Sequence, residues 1–203
     1  ESIYLLNKKL VTTHNDVEQD LFTAMRDMLV YIDERSSDKQ YFFGTDFFEN
    51  VWERMIDKAF GVEDKEQYFP RTRWLLDYGR DKEKRPLQPD TIMIYGDKYY
   101  VLDAKLYRYG WSANSEHLPN SADINKQITY GEYVERTGSI PNERLYNAFV
   151  MPYNKENNLF MLTGNIGNIG EAVSDWKPNT KNYERIQGIL VDTLYLMYNY
   201  IVS

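Results

Sequence analysis

Phe48, Val51, Trp52, Met55, Ile56, Ala59 and Phe60 stand three and four residues apart, the spacing of one face of an amphipathic helix. The pattern predicts a helix over about 47–60, started by Thr45 or Asp46 as N-cap and ended by Gly61. Val17, Leu21, Met25, Met28, Leu29 and Ile32 predict another over 15–33. Residues 1–14 alternate loosely and read as a short strand or lead-in, and 34–40 read as a polar loop. Further along the period shortens. Residues 91–95 and 99–105 read as strands, 145–151 as a third and 186–191 as a fourth. A helix capped by Ser121 is predicted over 122–135, and a closing helix over 193–201. Between these lie a charged stretch over 62–89, an irregular aromatic-containing loop over 106–120 and a loop-rich stretch over 154–180. The order of helix, strand, strand, loop, helix, strand predicts an α/β fold, a central mixed β-sheet flanked by helices rather than regular βαβ alternation. With 203 residues and no internal repeat, the chain reads as one domain over 1–203 with its core at about 41–151.

The hairpin between 91 and 105 carries the chemistry. Gly96-Asp97 is a Gly-X pair, which fits a two-residue type II′ turn. Taken literally, that turn pairs Tyr95 with Lys98, Ile94 with Tyr99 and Asp90 with Asp103. Opposed residues share a face of the sheet, and so do residues two apart along a strand. Asp90, Asp103 and Lys105 therefore project from one side of one end of the hairpin. Cβ atoms of opposed residues lie about 4.5–5.5 Å apart. Carboxylates at that spacing repel unless a cation joins them. Mg²⁺ takes oxygen ligands and is commonly held by one or two carboxylates plus substrate phosphate. Asp90 and Asp103 are thus candidate ligands, with the Ala104 carbonyl as a further oxygen. Such an ion polarises a phosphodiester and lowers the pKa of a bound water. Lys105 would orient that water or stabilise the developing charge. The blander alternative makes both aspartates ordinary strand-end residues with Lys105 as an ion-pair partner. Against it, Asp103 follows the apolar run 99–102, where a buried carboxylate needs a partner.

On a helical wheel Glu49 falls between Ile56 and Phe60, on the face that should be buried, and Glu53 falls at the edge of that arc. Gln127 and Tyr130, three apart, share a face of the 122–135 helix. They read either as support for Lys105 and a water, or as a surface Gln beside a packed Tyr.

Composition then removes alternatives. The chain has no Cys, which excludes disulfides, thiolate zinc sites and a cysteine nucleophile. Only His14 and His117 are present, which argues against imidazole-rich metal sites. His117 reads as a solvent-exposed loop residue. The apolar share of 42% and aromatic share of 15% are those of a globular chain. No apolar run reaches membrane-spanning length and the start shows no signal-peptide pattern, so the chain reads as cytoplasmic. It opens on Glu1 rather than Met, which leaves room for a longer parent protein. The net charge of −7 is awkward for a nucleic-acid binder. One stretch is locally basic, with Arg71, Arg73, Arg80, Lys82, Lys84 and Arg85. Those cations could meet phosphate, or simply face solvent. Tyr107, Arg108, Tyr109 and Trp111 could stack on or clamp nucleic acid, or pack locally. Gly164, Gly167 and Gly170 lack the residues of a phosphate-cradling loop and read as a turn-rich segment.

Pro89-Asp90, a hairpin and Asp103-Ala104-Lys105 together resemble the PD-(D/E)XK nuclease superfamily. That resemblance implies a core of helix, three-stranded meander, helix and further strand, of which two meander strands are evident here. Such enzymes often add a Glu on the first core helix, which Phe48-Glu49 looks like and Trp52-Glu53 also fits. Many add a Gln-x-x-Tyr after the lysine strand, which Gln127-Ile128-Thr129-Tyr130 matches. More narrowly, Phe48-Glu49-Asn50-Val51-Trp52-Glu53 with Asn125-Lys126-Gln127-Ile128-Thr129-Tyr130-Gly131-Glu132-Tyr133 resembles the LlaJI-type restriction endonucleases. The likeness spans roughly 41–136, with a weaker echo in 188–194. It implies Mg²⁺-dependent hydrolysis of double-stranded DNA in restriction-modification defence, with Mn²⁺ as a substitute ion. The implied site is Asp90, Asp103, Lys105, Gln127 and either Glu49 or Glu53. It also implies a recognition domain or partner subunit, for instance a nucleotide-driven motor, and a dimer for double-strand cleavage. Two other readings stay open: a repair, recombination or RNA-directed nuclease on the same core, and a non-catalytic nucleic-acid-binding or scaffold module.

Overall fold

The computed structural model describes residues 2–12, 19, 23, 47–157 and 159–202. Contacts group the chain into two compact units, Glu1–Gly44 and Thr45–Ser203. In the first unit, Ser2–Thr12 forms a helix (α1), where a strand or lead-in was expected. Loose apolar alternation over so short a run fits either period, and Leu and Lys favour the helix. The helix expected over 15–33 lies outside the described residues, apart from residues 19 and 23, which are helical.

The second unit is an α/β layer structure. Its helix α2, Phe48–Phe60, buries Trp52, Met55 and Ile56 at the expected spacing. Thr45 and Asp46, expected as its cap, lie outside the described residues. Phe47 occupies the N-cap position and makes no side-chain cap bond. A two-residue antiparallel pair follows, β1 (Arg73–Trp74) with β2 (Lys82–Glu83). Then come β3 (Thr91–Tyr95), β4 (Lys98–Ala104), a short helix α3 (Tyr109–Ser112), the long helix α4 (Ser121–Gly138) and β5 (Leu145–Tyr153). The chain continues through β6 (Ile166–Ala172) and β7 (Ile186–Asp192) to α5 (Thr193–Val202). The five long strands make one mixed sheet in the order β3-β4-β5-β7-β6. Pairs β4–β5 and β5–β7 are parallel, whereas β3–β4 and β6–β7 are antiparallel. Of the three-stranded meander, only β3 and β4 belong to this sheet; the segment before them forms the separate β1–β2 pair.

Strand parity divides the core between two faces. On one face Trp52, Met55 and Ile56 of α2 and Leu196 of α5 pack on Leu102, Ala104, Ala148, Val150 and Val191. On the other, Ile128, Tyr130 and Val134 of α4 cover Val101, Phe149 and Met151. The cap of α4 is Asn120, not Ser121: its Oδ1 accepts from Ala122 N and Asp123 N, and the Asp123 carboxylate accepts in return from Asn120 N. Gly131 of α4 has a packing role. A Cβ there would lie 2.7 Å from Cβ of Tyr183, a residue 1% exposed. Ala is the better helix former, but the collision outweighs that gain. Gly131→Ala is therefore expected to destabilise the protein by about 1–3 kcal/mol, measured as a lower urea midpoint at unchanged slope.

The stretch expected as loop over 154–180 contains β6, an edge strand paired with β7. Its glycines masked the strand signal. Gly170 takes φ +121° beside a register shift between Asn168 and Gly170, the signature of a bulge. Among the described residues no helix is long and apolar enough to cross a membrane.

Candidate active site

The site begins with a proline. The β3–β4 register runs Tyr95 with Lys98, Ile94 with Tyr99, and on to Thr91 with Leu102. Gly96 takes φ +62° and Asp97 keeps a negative φ, as a type II′ turn requires. Continued past Thr91, the register sets Asp90 opposite Asp103 and Pro89 opposite Ala104. Pro89 has no N–H to give the Ala104 carbonyl, so the ladder ends there. The Ala104 N–H donates instead to Asp90 Oδ2 at 2.8 Å. N–H and C=O of one strand residue point to the same side, so the Ala104 carbonyl faces the same sheet edge as the Asp90 carboxylate. Asp90 itself is held from behind. Lys65 Nζ donates to the Asp90 backbone carbonyl and to Asp57 Oδ2, both at 2.6 Å.

Asp103 and Lys105 alternate with Leu102 and Ala104, and so face α4. Asp103 is 2% exposed. Lys105 Nζ lies 2.7 Å from Asp103 Oδ2 and 3.2 Å from Asp123 Oδ1. Asp123 is fixed in turn, because its Oδ2 also accepts from Tyr107 Oη at 3.1 Å. Lys126 Nζ stands 4.0 Å from Asp103 Oδ1 and over the Tyr130 ring. Burial opposes the charge on Lys105, but its bonds to Asp103 and Asp123 outweigh that and hold its pKa above the ordinary lysine value. Burial, then the Asp103 charge, push the Asp90 carboxyl up to about 7, against the pull of the Ala104 N–H. A half-buried carboxylate so raised, facing a second one, is a site short of positive charge.

The structure separates the two glutamates. Glu49 is exposed and Glu53 is half-buried. Burial, then the charge of Asp103, raise the Glu53 carboxyl above its usual range, with Lys105 pulling the other way. Glu53 also acts on Asp90. The wheel put Glu49 on the buried arc because it carries no axial information. Glu49 lies in the first turn of α2, and Glu53 one turn further along.

Among the described residues no three carboxylates or imidazoles are grouped tightly enough to cage a metal ion. The oxygen set is two opposed carboxylates, Asp90 and Asp103, with the Ala104 carbonyl at the same edge. That set fits Mg²⁺, which keeps several waters and binds through one or two carboxylates plus phosphate.

Over residues 2–169 the chain matches the LlaJI restriction endonuclease family. It belongs to that family. The matched span contains every residue of the site, from Glu49 to Tyr130. A search of curated proteins gives no match. Membership of the LlaJI family makes the chain a nuclease of the restriction-endonuclease kind.

Gln127 does not reach Lys105. It is buried, and its Nε2 donates to Val101 O at 2.7 Å, so it braces the strand that carries Asp103. Its own carbonyl accepts from Asn147 Nδ2 at 2.8 Å, which ties α4 to β5. Tyr130 Oη donates to Gln88 O at 3.0 Å, next to Pro89. The Gln-x-x-Tyr of this LlaJI-family chain therefore positions both aspartate-bearing segments through their backbones. Trp52 does the same from the other face: its Nε1 and the Lys105 N–H both donate to Val150 O. Of the aromatic loop, Tyr107 supports Asp123 and Tyr109 packs on Phe160, while Trp111 is exposed. His117 is half-buried, with Nδ1 2.7 Å from Ser112 Oγ. Sequence reasoning missed Asp123, Lys126 and Lys65. Asn120-x-x-Asp123 was readable as a capping box, but nothing local links that box to Lys105.

Proposed function

We propose that this chain is a PD-(D/E)XK-type nuclease that hydrolyses phosphodiester bonds of double-stranded DNA with Mg²⁺, or Mn²⁺ in its place. The observation that carries this reading is the Asp90–Asp103 opposition at the point where Pro89 ends the ladder. A cation held by Asp90, Asp103 and the Ala104 carbonyl would polarise the scissile phosphate and lower the pKa of the attacking water. Lys105 supplies a fixed ammonium at the same end of the sheet. Its two carboxylate partners leave it charged, and its third N–H can meet a phosphate oxygen or the water. Glu53 is the half-buried carboxylate suited to accept a proton. The chain is read as one cleavage domain that works with a recognition domain or a nucleotide-driven partner, and as a dimer when both strands are cut.

The test uses plasmid DNA, Mg²⁺ and Mn²⁺, on the chain alone and with the products of its neighbouring genes. Wild type is expected to cut and Asp103→Ala to be inert. Calorimetry adds Mg²⁺ binding that Asp90→Asn weakens. Equal cutting by wild type and Asp103→Ala would end the proposal. The glutamates give a sharper comparison. Glu53→Gln is expected to slow cleavage about 10²-fold, and Glu49→Gln to leave it essentially unchanged in the same plasmid assay.

A further inference from the structure

Residues 71–87 form an exposed arm between α2 and β3. Arg73 pairs with Glu83 and Trp74 with Lys82. Lys84 N–H donates to Thr72 O and Leu87 N–H to Pro70 O, both at 2.9 Å, which carries the pairing to the root. Leu76 N–H donates to Asp81 Oδ1 at 3.1 Å and closes the tip. The root is anchored. Phe69 and Pro70 are buried on entry and Pro89 on exit, where Tyr130 holds Gln88 O. The next residue is Asp90.

Arg71, Arg73, Arg80, Lys82, Lys84 and Arg85 face three carboxylates on this arm, in a chain whose net charge is −7. All six cations are exposed. Among the described residues none of the six forms an ion pair. Continued one residue past the Lys84–Thr72 bond, the register sets Arg71 across from Arg85. That is a non-hydrogen-bonded position, where side chains approach most closely. Like charges directly opposed are unfavourable alone, and an anion between them reverses the sign. Beside Arg71, a recess is lined by Arg71, Thr72, Arg73, Lys84 and Pro86, with Glu83 the one carboxylate at its wall.

We propose that this arm grips the sugar-phosphate backbone of duplex DNA beside the cut. The inference rests on the nuclease reading above and names the surface that holds the substrate. Guanidinium forks match phosphate oxygens in pairs, and four of the six cations are arginines, three of them (Arg71, Arg73 and Arg85) near the root. Arg85 is five residues from Asp90, a reach of at most roughly 18 Å. Phosphates on one strand repeat about every 3.4 Å, so the grip falls within about five or six phosphates of the scissile one. An otherwise acidic chain thus carries a locally net-positive segment that leads into the catalytic carboxylate.

The test is equilibrium binding of a fluorescent 25-base-pair duplex by anisotropy, in Ca²⁺ and at 50–200 mM salt, with no cleavage required. Arg71→Gln/Arg73→Gln/Lys84→Gln is compared with a charge-matched control, Arg136→Gln/Arg144→Gln/Arg185→Gln. The arm variant is expected to flatten the slope of log K against log salt by roughly 2–3, at about 0.9 per phosphate contact. Its affinity is expected to fall about tenfold or more, with Mg²⁺ binding by calorimetry unchanged and melting unchanged. The control is expected to lose much less. Binding by the arm variant equal to the control overturns the arm alone and leaves the segment to an acidic protein surface. A wild type that binds no duplex overturns both the arm and the duplex-DNA reading.

Discussion

Lys105→Met is expected to lose about 10²–10³-fold in cleavage and to make the folded state depend on Mg²⁺. The two effects share one cause. The Lys105 ammonium lies between Asp103, whose side chain is 3% exposed, and Asp123. Met keeps the length and apolar stem but removes the charge. Among the described residues, Asp103 then retains Lys126, 4.0 Å away and 43% exposed, as its one nearby cation. Stripping one partner from a buried ion pair costs about 3–5 kcal/mol. A cation bound to Asp90 and Asp103 would offset part of that loss, because anything that binds only the folded state stabilises it. Melting in EDTA is expected to show a marked drop, and melting in Mg²⁺ a partial recovery larger than any Mg²⁺ effect on wild type. Lys105 is charged below its raised pKa, so its contribution is present throughout the neutral range. A variant that melts like wild type in EDTA, or cuts at the wild-type rate, would contradict this role.

Asp90→Asn acts in the opposite direction on stability. In the unfolded chain the Asp90 carboxyl titrates near 3.8, and in the folded protein at about 7. A raised carboxyl pKa means that ionisation is penalised in the fold. The penalty is absent below pH ~4, grows as pH rises, and is complete above pH ~7. The displacement corresponds to at most ~4 kcal/mol. Asp90 is only partly buried and solvent screens it, so about 2 kcal/mol is the working figure. Asn keeps an oxygen to accept from Ala104 N–H and removes the charge. At pH 8 without metal, Asp90→Asn is expected to melt about 4–8 °C higher than wild type, with the gain fading toward pH 4. Mg²⁺ affinity and cleavage fall in the same variant. The same gain at both pH values, or none at pH 8, would show that the ionised Asp90 carboxylate, half-buried and facing Asp103, is not what burdens the metal-free fold.

Both effects come from one hairpin, and that hairpin was legible in the chain. Gly96-Asp97 set the turn, the turn set the register, and the register put Asp90 across from Asp103. Every step spans at most fourteen residues, and period-2 parity carries the result from backbone to side-chain direction. The apolar spacing of α2 and α4 was legible for the same reason. Caps were read less well. Asn120 and Phe47 stand where Ser121 and Thr45 or Asp46 were expected, because a cap depends on where the chain turns into the helix. Strand β6 escaped notice because its glycines contribute no apolar alternation, and its pairing with β7 is made by a distant segment.

What the sequence determined by itself is therefore the local frame: the turn, the opposed aspartates, the face shared with Lys105, and the proline that ends the ladder. The tertiary structure decided which groups surround that frame. It brought Glu53 rather than Glu49 toward Asp103, gave Lys105 a second partner in Asp123, and turned Gln127 into a brace for Val101. Among the described residues, it also left the cations of the β1–β2 arm without ion pairs. Those outcomes depend on how far along its axis one helix lies over a sheet and which segment covers which strand. Packing of remote surfaces sets such offsets, and no spacing within a single segment records them.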